Sequence, residues 1–201
     1  MTSSLEVGKS SRVKGQMKKM SGAELLALYA SGRRDFRDVD ISEADLFEAN
    51  LQGVDLAGSN LRKVYLPYSN LRQADLQQAQ LQSAQLSDAQ LYQANLSNAD
   101  LQDANLFRAA LRRTNLRGAN LERANLQGAD LGNADLTCAN LKDADLSRAN
   151  LNKANLTKAQ LSGSNLFRSQ HADLSNADLD GSTIYPDGHR LDNSQPHEDE
   201  E

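Results

Sequence analysis

Leucine recurs at every fifth position from Leu46 to Leu166, 25 times without a break. This spacing constrains the fold more than any other property of the chain. An α-helix turns about 500° in five residues, so successive leucines would drift around it and form no stripe. In a straight strand side chains alternate, and an odd spacing throws successive leucines to opposite faces. Both regular elements therefore fail as a continuous solution. Within one unit, however, the central residue i and residue i−2 share a face in extended geometry. The next inward residue comes three positions after i, so the parity is restored if the chain turns a corner once per unit. The spacing predicts a coil with a corner every five residues, lined by leucine.

The rest of the unit fits that geometry. Position i−2 is Ala in 19 of the 25 units, the exceptions being Val54, Ser59, Val64, Ser69, Thr114 and Ser164. A narrow interior admits one large side chain per unit, which explains the small residue. Position i−1 is Asp or Asn in 19 units. Those side chains bond nearby backbone groups, so the acidic appearance reads as mainly structural. Phe36 and Ile41 precede the leucines in phase, and Leu174, Leu179 and Ile184 are taken as the centres that follow. Between Leu166 and Leu174 the gap is eight residues. Two geometries account for it. Ser169, Gln170 and His171 could begin a unit that lacks its last two residues, with His171 at the centre. They could instead bulge outward at a corner, leaving the core intact and His171 exposed. The bulge is preferred, because burying a polar ring is costly.

The repeated A-(D/N)-L-x-x unit, as in "ADLFEANLQGVDL" and "ANLERANLQGADL", resembles the pentapeptide repeat family. The resemblance covers residues 36–184. It implies an all-β solenoid, a right-handed quadrilateral β-helix with four units and about 20 residues per coil. "SGAELLALYASGRRDF" before the repeats and "IYPDG" after them resemble the flanks of cyanobacterial members. Stacked at ~4.8 Å, roughly seven to eight coils make a rod of ~35 Å. Each buried leucine contributes roughly 1.5–3 kcal/mol, realised only when neighbouring coils stack.

Composition alone points elsewhere. Aromatic residues are 4% and Trp is absent, which leans toward disorder; the ordering of residues overturns that reading. Charge divides the ends from the middle. Residues 1–22 carry a net +4 and residues 187–201 a net −5, against −5 for the whole chain. The expected organisation is a flexible basic tail over 1–20, a helical cap over 21–35, the repeats over 36–186 and an acidic disordered tail over 187–201. Ser21 and Glu24 have capping-box spacing, and "AELLALYAS" reads as a short helix stopped by Gly32. Such a helix covers the open end over Phe36 and Ile41. "YPDG" is a turn signal. The basic start lacks the apolar region of a secretory signal. A transit peptide over 1–19 and a start at Met20 both stay open. One cysteine, Cys138, excludes an intramolecular disulfide and suits a reducing compartment, so a cytoplasmic location is expected.

The residues of catalysis are not arranged for it. His171, His189 and His197 stand at no metal-ligand spacing with Cys138 or with a carboxylate cluster. No nucleotide-binding glycine motif occurs, and a leucine-filled interior leaves no pocket. No catalytic residue, cofactor or metal is assigned, and the chain is read as a non-enzyme. Function then belongs to the outside. With a 20-residue turn, the units centred on Leu46, Leu66, Leu86, Leu106, Leu126, Leu146 and Leu166 stack on one face. That face gathers Phe47, Tyr65, Pro67, Tyr68, Phe107 and Phe167, with Arg108, Arg148 and Arg168 beside them. Exposed aromatics with arginine are favoured at protein interfaces. The expected role is a monomeric scaffold for a protein partner, possessing no membrane span and binding no nucleic acid directly. The alternative is DNA mimicry toward gyrase or another topoisomerase, as in some members of the family that the chain resembles. A near-balanced array and the absence of an apolar C-terminal helix weigh against it.

Overall fold

The computed structural model describes residues 17–190. Residues 1–16 and 191–201, the greater part of the expected tails at 1–20 and 187–201, lie outside these residues. The first element is a two-residue strand, β1 (Lys18–Lys19), and it corrects the boundary of the expected basic tail. β1 pairs in parallel with β2 (Val39–Asp40), and Met20 N–H donates to the Asp40 carbonyl at 2.8 Å. Edge groups of the first coil that would face water are thereby paired, and Met20 is buried.

Helix α1 (Gly22–Ala30) follows at once. Ser21 caps it, its hydroxyl accepting from Glu24 N–H at 3.1 Å. Only half of the expected capping box forms, because the Glu24 carboxylate turns to Lys18 Nζ at 3.4 Å. The helix lies across the start of the solenoid. At one end, a Cβ on Gly22 would sit 2.9 Å from the Asp45 carbonyl oxygen, so only glycine allows this approach. At the other end the Tyr29 hydroxyl donates to the Gln52 carbonyl at 2.7 Å. Leu25 is buried between them.

From Asp35 onward the backbone repeats. Parallel bridges join i−1 residues 20 positions apart, as in Asp35 to Asp55 to Asp75, and four such ladders run side by side. The period is thus four five-residue units. The ladder residues at i−1 donate to the coil before and accept from it, as Asp55 does with the Arg34 carbonyl at 2.9 Å and Phe36 N–H at 2.7 Å. Residue i+2 makes the corner. In every unit from Leu46 to Leu166 it has positive φ, between 53° for Glu48 and 71° for Gly163. Most of these residues are not glycine, and in their units the left-handed conformation carries a cost. It is held by a hydrogen bond across coils, such as Glu48 N–H to the Pro67 carbonyl at 3.0 Å.

The core is the interior column of i and i−2 residues. Leu46 to Leu166 are all buried, as are Phe36 and Ile41. Ser59, Thr114 and Ser164 at i−2 keep partners there, whereas the buried Ser69 hydroxyl has none among the described residues. The Ser59 hydroxyl donates to the Phe36 carbonyl and Thr114 to the Leu91 carbonyl, at 3.0 and 2.8 Å. Outside, the Asn and Asp of i−1 form ladders of their own. Asn120 donates to Asp100 at 3.1 Å, and Asn140 to Asn120 at 3.0 Å. Each also accepts from the backbone N–H two residues on, as Asp45 does from Phe47 at 3.1 Å. The structural reading of this position therefore holds.

At residue 169 the register changes. Gln170 still bridges Asn150, but Asp178 bridges Gln160 and Ile184 bridges Asn165, separations of 18 and 19 instead of 20. The unit begun by buried Ser169 is two residues short, so the preferred three-residue bulge is corrected to a truncated unit. It differs from the truncated unit considered above as well. His171 is exposed with φ +56°, which gives it the corner's conformation and not the centre's. The polar ring avoids the core because the unit omits its centre. A residue is then regained before Ile184. Leu166 N–H donates to the Ile184 carbonyl and Arg168 N–H to the Pro186 carbonyl, at 2.8 and 2.7 Å. Ile184 thus stands at i−1, and Tyr185 takes the place of the centre that had been assigned to Ile184. The last residues fold back in a turn, Tyr185 N–H to the His189 carbonyl at 2.8 Å, with Tyr185 stacked on His189 at 4.4 Å.

Candidate protein-binding face

The bridges Asp45–Tyr65–Gln85–Asn105–Asn125–Asp145–Asn165 put the nine candidate residues on one side of the solenoid. They do not form one surface. Phe47, Tyr65 and Tyr68 come together at the N-terminal end. The Phe47 and Tyr65 rings stack with centroids 6.1 Å apart, and Tyr68 meets Phe47 edge-on at 5.9 Å. Their relative exposures are 47%, 44% and 54%, high for a mutually packed aromatic trio. Two aromatic contacts hold its shape. Pro67, between Tyr65 and Tyr68 in the chain, is buried and does not present itself on this face.

Three coils further on, Phe107 is only half-buried, with Arg108 across its ring at 6.0 Å. Arg108 also pairs with Asp88 at 3.2 Å, which holds its guanidinium along the face. Between this site and the trio the i+1 column is occupied by Ser87. Arg148 is exposed beyond it, next to buried Ser147. Phe167 closes the column with Arg168 at 5.0 Å from its ring centre. A Cβ on Gly188 would lie 3.2 Å from the Phe167 ring, so the C-terminal turn covers part of that ring. The aromatic stripe is therefore three islands, and the last is partly occupied by the chain itself. The trio is the largest of them.

The other residues singled out by type are dispersed. Cys138 is an exposed corner residue with φ +59°. His171 is an exposed corner, and His189 pairs with Asp187 inside the terminal turn. The Asp187 carboxyl is held below its usual range chiefly by that imidazole contact. His197 lies outside the described residues. Asp35 is likewise held well below the usual carboxylate range, first by the Arg37 guanidinium that also reaches Asp55 at 3.4 Å. These shifts belong to ion pairs and turns in water. Among the described residues no group of three His, Cys, Asp or Glu side chains could hold a metal ion. Within them, too, no helix is long and apolar enough to cross a membrane.

Comparison with known proteins places the repeat. A family model described as Pentapeptide repeats matches in eight copies, over residues 40–78, 59–98, 104–143 and 133–169. Among solved structures, the chain is similar to HetL, a pentapeptide repeat protein involved in heterocyst differentiation regulation in the cyanobacterium Nostoc. Identity is 32% over 85% of this chain and 99% of that one, with a TM-score of 0.29. It is also similar to Rfr23 of the cyanobacterium Cyanothece, at 27% identity over 76% of this chain and 97% of that one, TM-score 0.28. A pentapeptide repeat protein of the Arabidopsis thaliana thylakoid lumen matches at 29% identity over 57% and 70%, TM-score 0.38. No curated protein sequence gave a significant match.

Proposed function

The chain belongs to the pentapeptide repeat family, and from that premise we propose that it is a non-enzymatic scaffold that holds a protein partner on the face of Phe47, Tyr65 and Tyr68. The single observation that carries this reading is the aromatic trio, exposed yet packed ring against ring. Aromatic side chains fixed by their neighbours lose little entropy on binding and supply the anchors of interfaces. Arg108, Arg148 and Arg168 extend the same face with cations at its polar margin. The scaffold in this reading is a monomeric, cytoplasmic, right-handed square coil of seven to eight turns, capped by α1. It takes no cofactor and binds no nucleic acid directly. A regulatory role accords with the involvement of HetL in heterocyst differentiation regulation.

The test is affinity capture from the native host with the wild-type chain and with Phe47→Ser/Tyr65→Ser/Tyr68→Ser. A partner retained by the wild type and lost by the variant, with the melting midpoint kept, supports the assignment. A partner captured equally by both sinks it. The topoisomerase alternative makes a separate demand, inhibition of gyrase supercoiling by the purified chain.

A further inference from the structure

The same register sorts charge as well as aromatics. Consider the face next to the Phe47 face, centred on Leu51, Leu71, Leu91, Leu111, Leu131 and Leu151, whose bridges run from Asn50 to Gln170. Its outward residues include four cations, Arg72, Arg112, Arg113 and Lys153, and one carboxylate, Asp130. The opposite face, centred on Ile41 to Leu161, carries six carboxylates against four cations. A chain of net charge −5 therefore presents one side with an excess of three positive charges. That one carboxylate approaches only Arg112, at a loose 3.8 Å. Arg113 is aimed instead by Tyr92, whose hydroxyl accepts from its Nη1 at 3.1 Å. Elsewhere cations are drawn onto acids, as Arg123 is onto Asp103 at 2.8 Å and Arg108 onto Asp88 at 3.2 Å.

We propose that this basic face is a second interaction surface, which takes an acidic, extended peptide segment of another protein along the solenoid axis. The proposal goes beyond the aromatic face and does not depend on it. Spacing and the charge of the face carry it. Arg72, Arg112 and Lys153 stand two coils apart, ~10 Å at the strand spacing, and an extended peptide covers that distance in about three residues. A carboxylate at every second residue keeps to one side of the peptide, and steps of ~6.6 Å bring one within reach of each long cation along the column. The surrounding Gln73, Gln93, Asn133 and Asn152 offer hydrogen bonds to the peptide backbone. The acids of the neighbouring faces oppose a larger polyanion. A DNA duplex would also overlie the neighbouring faces, which bear Asp45, Glu48, Asp135 and the Asp35–Asp55 pair, and it needs more phosphate contacts than four cations supply. A single half-buried aromatic, Tyr92, is no platform for stacking successive bases.

The test titrates the full chain with a fluorescent peptide of roughly eight residues in which Glu alternates with Ser, long enough to span Arg72 to Lys153 at ~3.3 Å per residue. A Lys–Ser peptide and an oligothymidylate of matched charge serve as comparisons. We expect saturable binding of the acidic peptide that weakens as salt rises. Arg72→Gln/Arg112→Gln/Arg113→Gln should weaken it roughly tenfold or more at low salt. Arg62→Gln/Lys63→Gln/Lys142→Gln, which removes as many cations from the opposite face, should leave it unchanged. Arg72→Lys/Arg112→Lys/Arg113→Lys, which keeps the charge, should bind within a few-fold of wild type and guards against a folding artefact. Equal loss in both Gln triples, no binding by the wild type, or tighter binding of the oligothymidylate would overturn the proposal. Failure here leaves capture by the Phe47 face untouched, so the two surfaces are tested separately.

Discussion

Residues 46–168 and residues 169–190 use the same alphabet of small, polar and apolar residues but keep different time. In the first stretch every ladder advances by 20 residues and every central leucine is buried. In the second the advance drops to 18, then 19, and Leu174 and Leu179 are only partly buried. Their side chains are no different from those before them. What they lack is a complete coil on the far side. Stability in this molecule is a property of neighbouring coils, and an identical residue counts for less where the stack ends.

Breaking the core at the two places should expose this directly. Leu111→Ala, in the middle of the stack, is expected to cost about 2–5 kcal/mol in chemical denaturation. Leu179→Ala should cost under about 2 kcal/mol, since its site is already part-solvated. Equal losses would contradict the neighbour argument. A repair of the irregular end gives the converse. Replacing His171 by Leu and adding two residues after it restores the five-residue unit. The melting midpoint should then rise, by the equivalent of about 0.5–2 kcal/mol. An unchanged or lower midpoint would mean that the short unit is itself the better end.

The outer ladder offers a smaller contrast. Asn120 both donates to Asp100 and accepts from Asn140, so Asn120→Ala should cost about 1 kcal/mol or more. Asn176, which reaches only the adjacent Ser175 at 3.2 Å, should cost less when replaced by Ala. Acid acts through the same motif at both ends. The Asp40 carboxyl is lowered first by Ser42 N–H, and Asp173 and Asp180 first by the hydroxyls of Ser175 and Ser182. A folded-state value below the unfolded one gives stability that is present above the unfolded value and is lost as pH falls through the folded one. The melting midpoint should therefore stay level from neutrality to about pH 5 and fall below about pH 4. Asp40→Asn, which keeps the acceptor without the charge, should soften that fall. The smallest effect is at the corners. Lys158→Gly relieves a φ of +57° and should change stability by less than about 1 kcal/mol. Gly163→Ala runs the other way, since its Cβ would meet the Asp143 carboxylate, and should cost about 1 kcal/mol.

Leucine spacing alone makes the coil legible. The drift of about 500° per unit excludes a helix and odd parity excludes a straight strand, Ala at i−2 marks a narrow interior, and Asn or Asp at i−1 marks bonding to backbone. The capping helix is legible from Ser21, Glu24 and Gly32 for similarly local reasons. The candidate face is legible as a column, because a period assigns residues to sides. The cover over its last aromatic is not, because Gly188 settles on Phe167 through a contact between two coils. The charged face is legible in the same period, although arginine and lysine are too common in this chain to mark it by residue type alone.

The sequence by itself determined the five-residue unit, its inward and outward positions and the family of folds that can satisfy them, because these follow from parity and side-chain size within one unit. Only the tertiary structure decided how the eight-residue gap is absorbed. A bulge and a shortened unit have the same length, and they differ only in which carbonyl of the neighbouring coil each N–H finds. It also decided that Tyr185 and not Ile184 takes the central place, and that Lys18–Lys19 joins the first coil. Those outcomes depend on hydrogen bonds between residues about 20 apart, and no local pattern of residues encodes that choice.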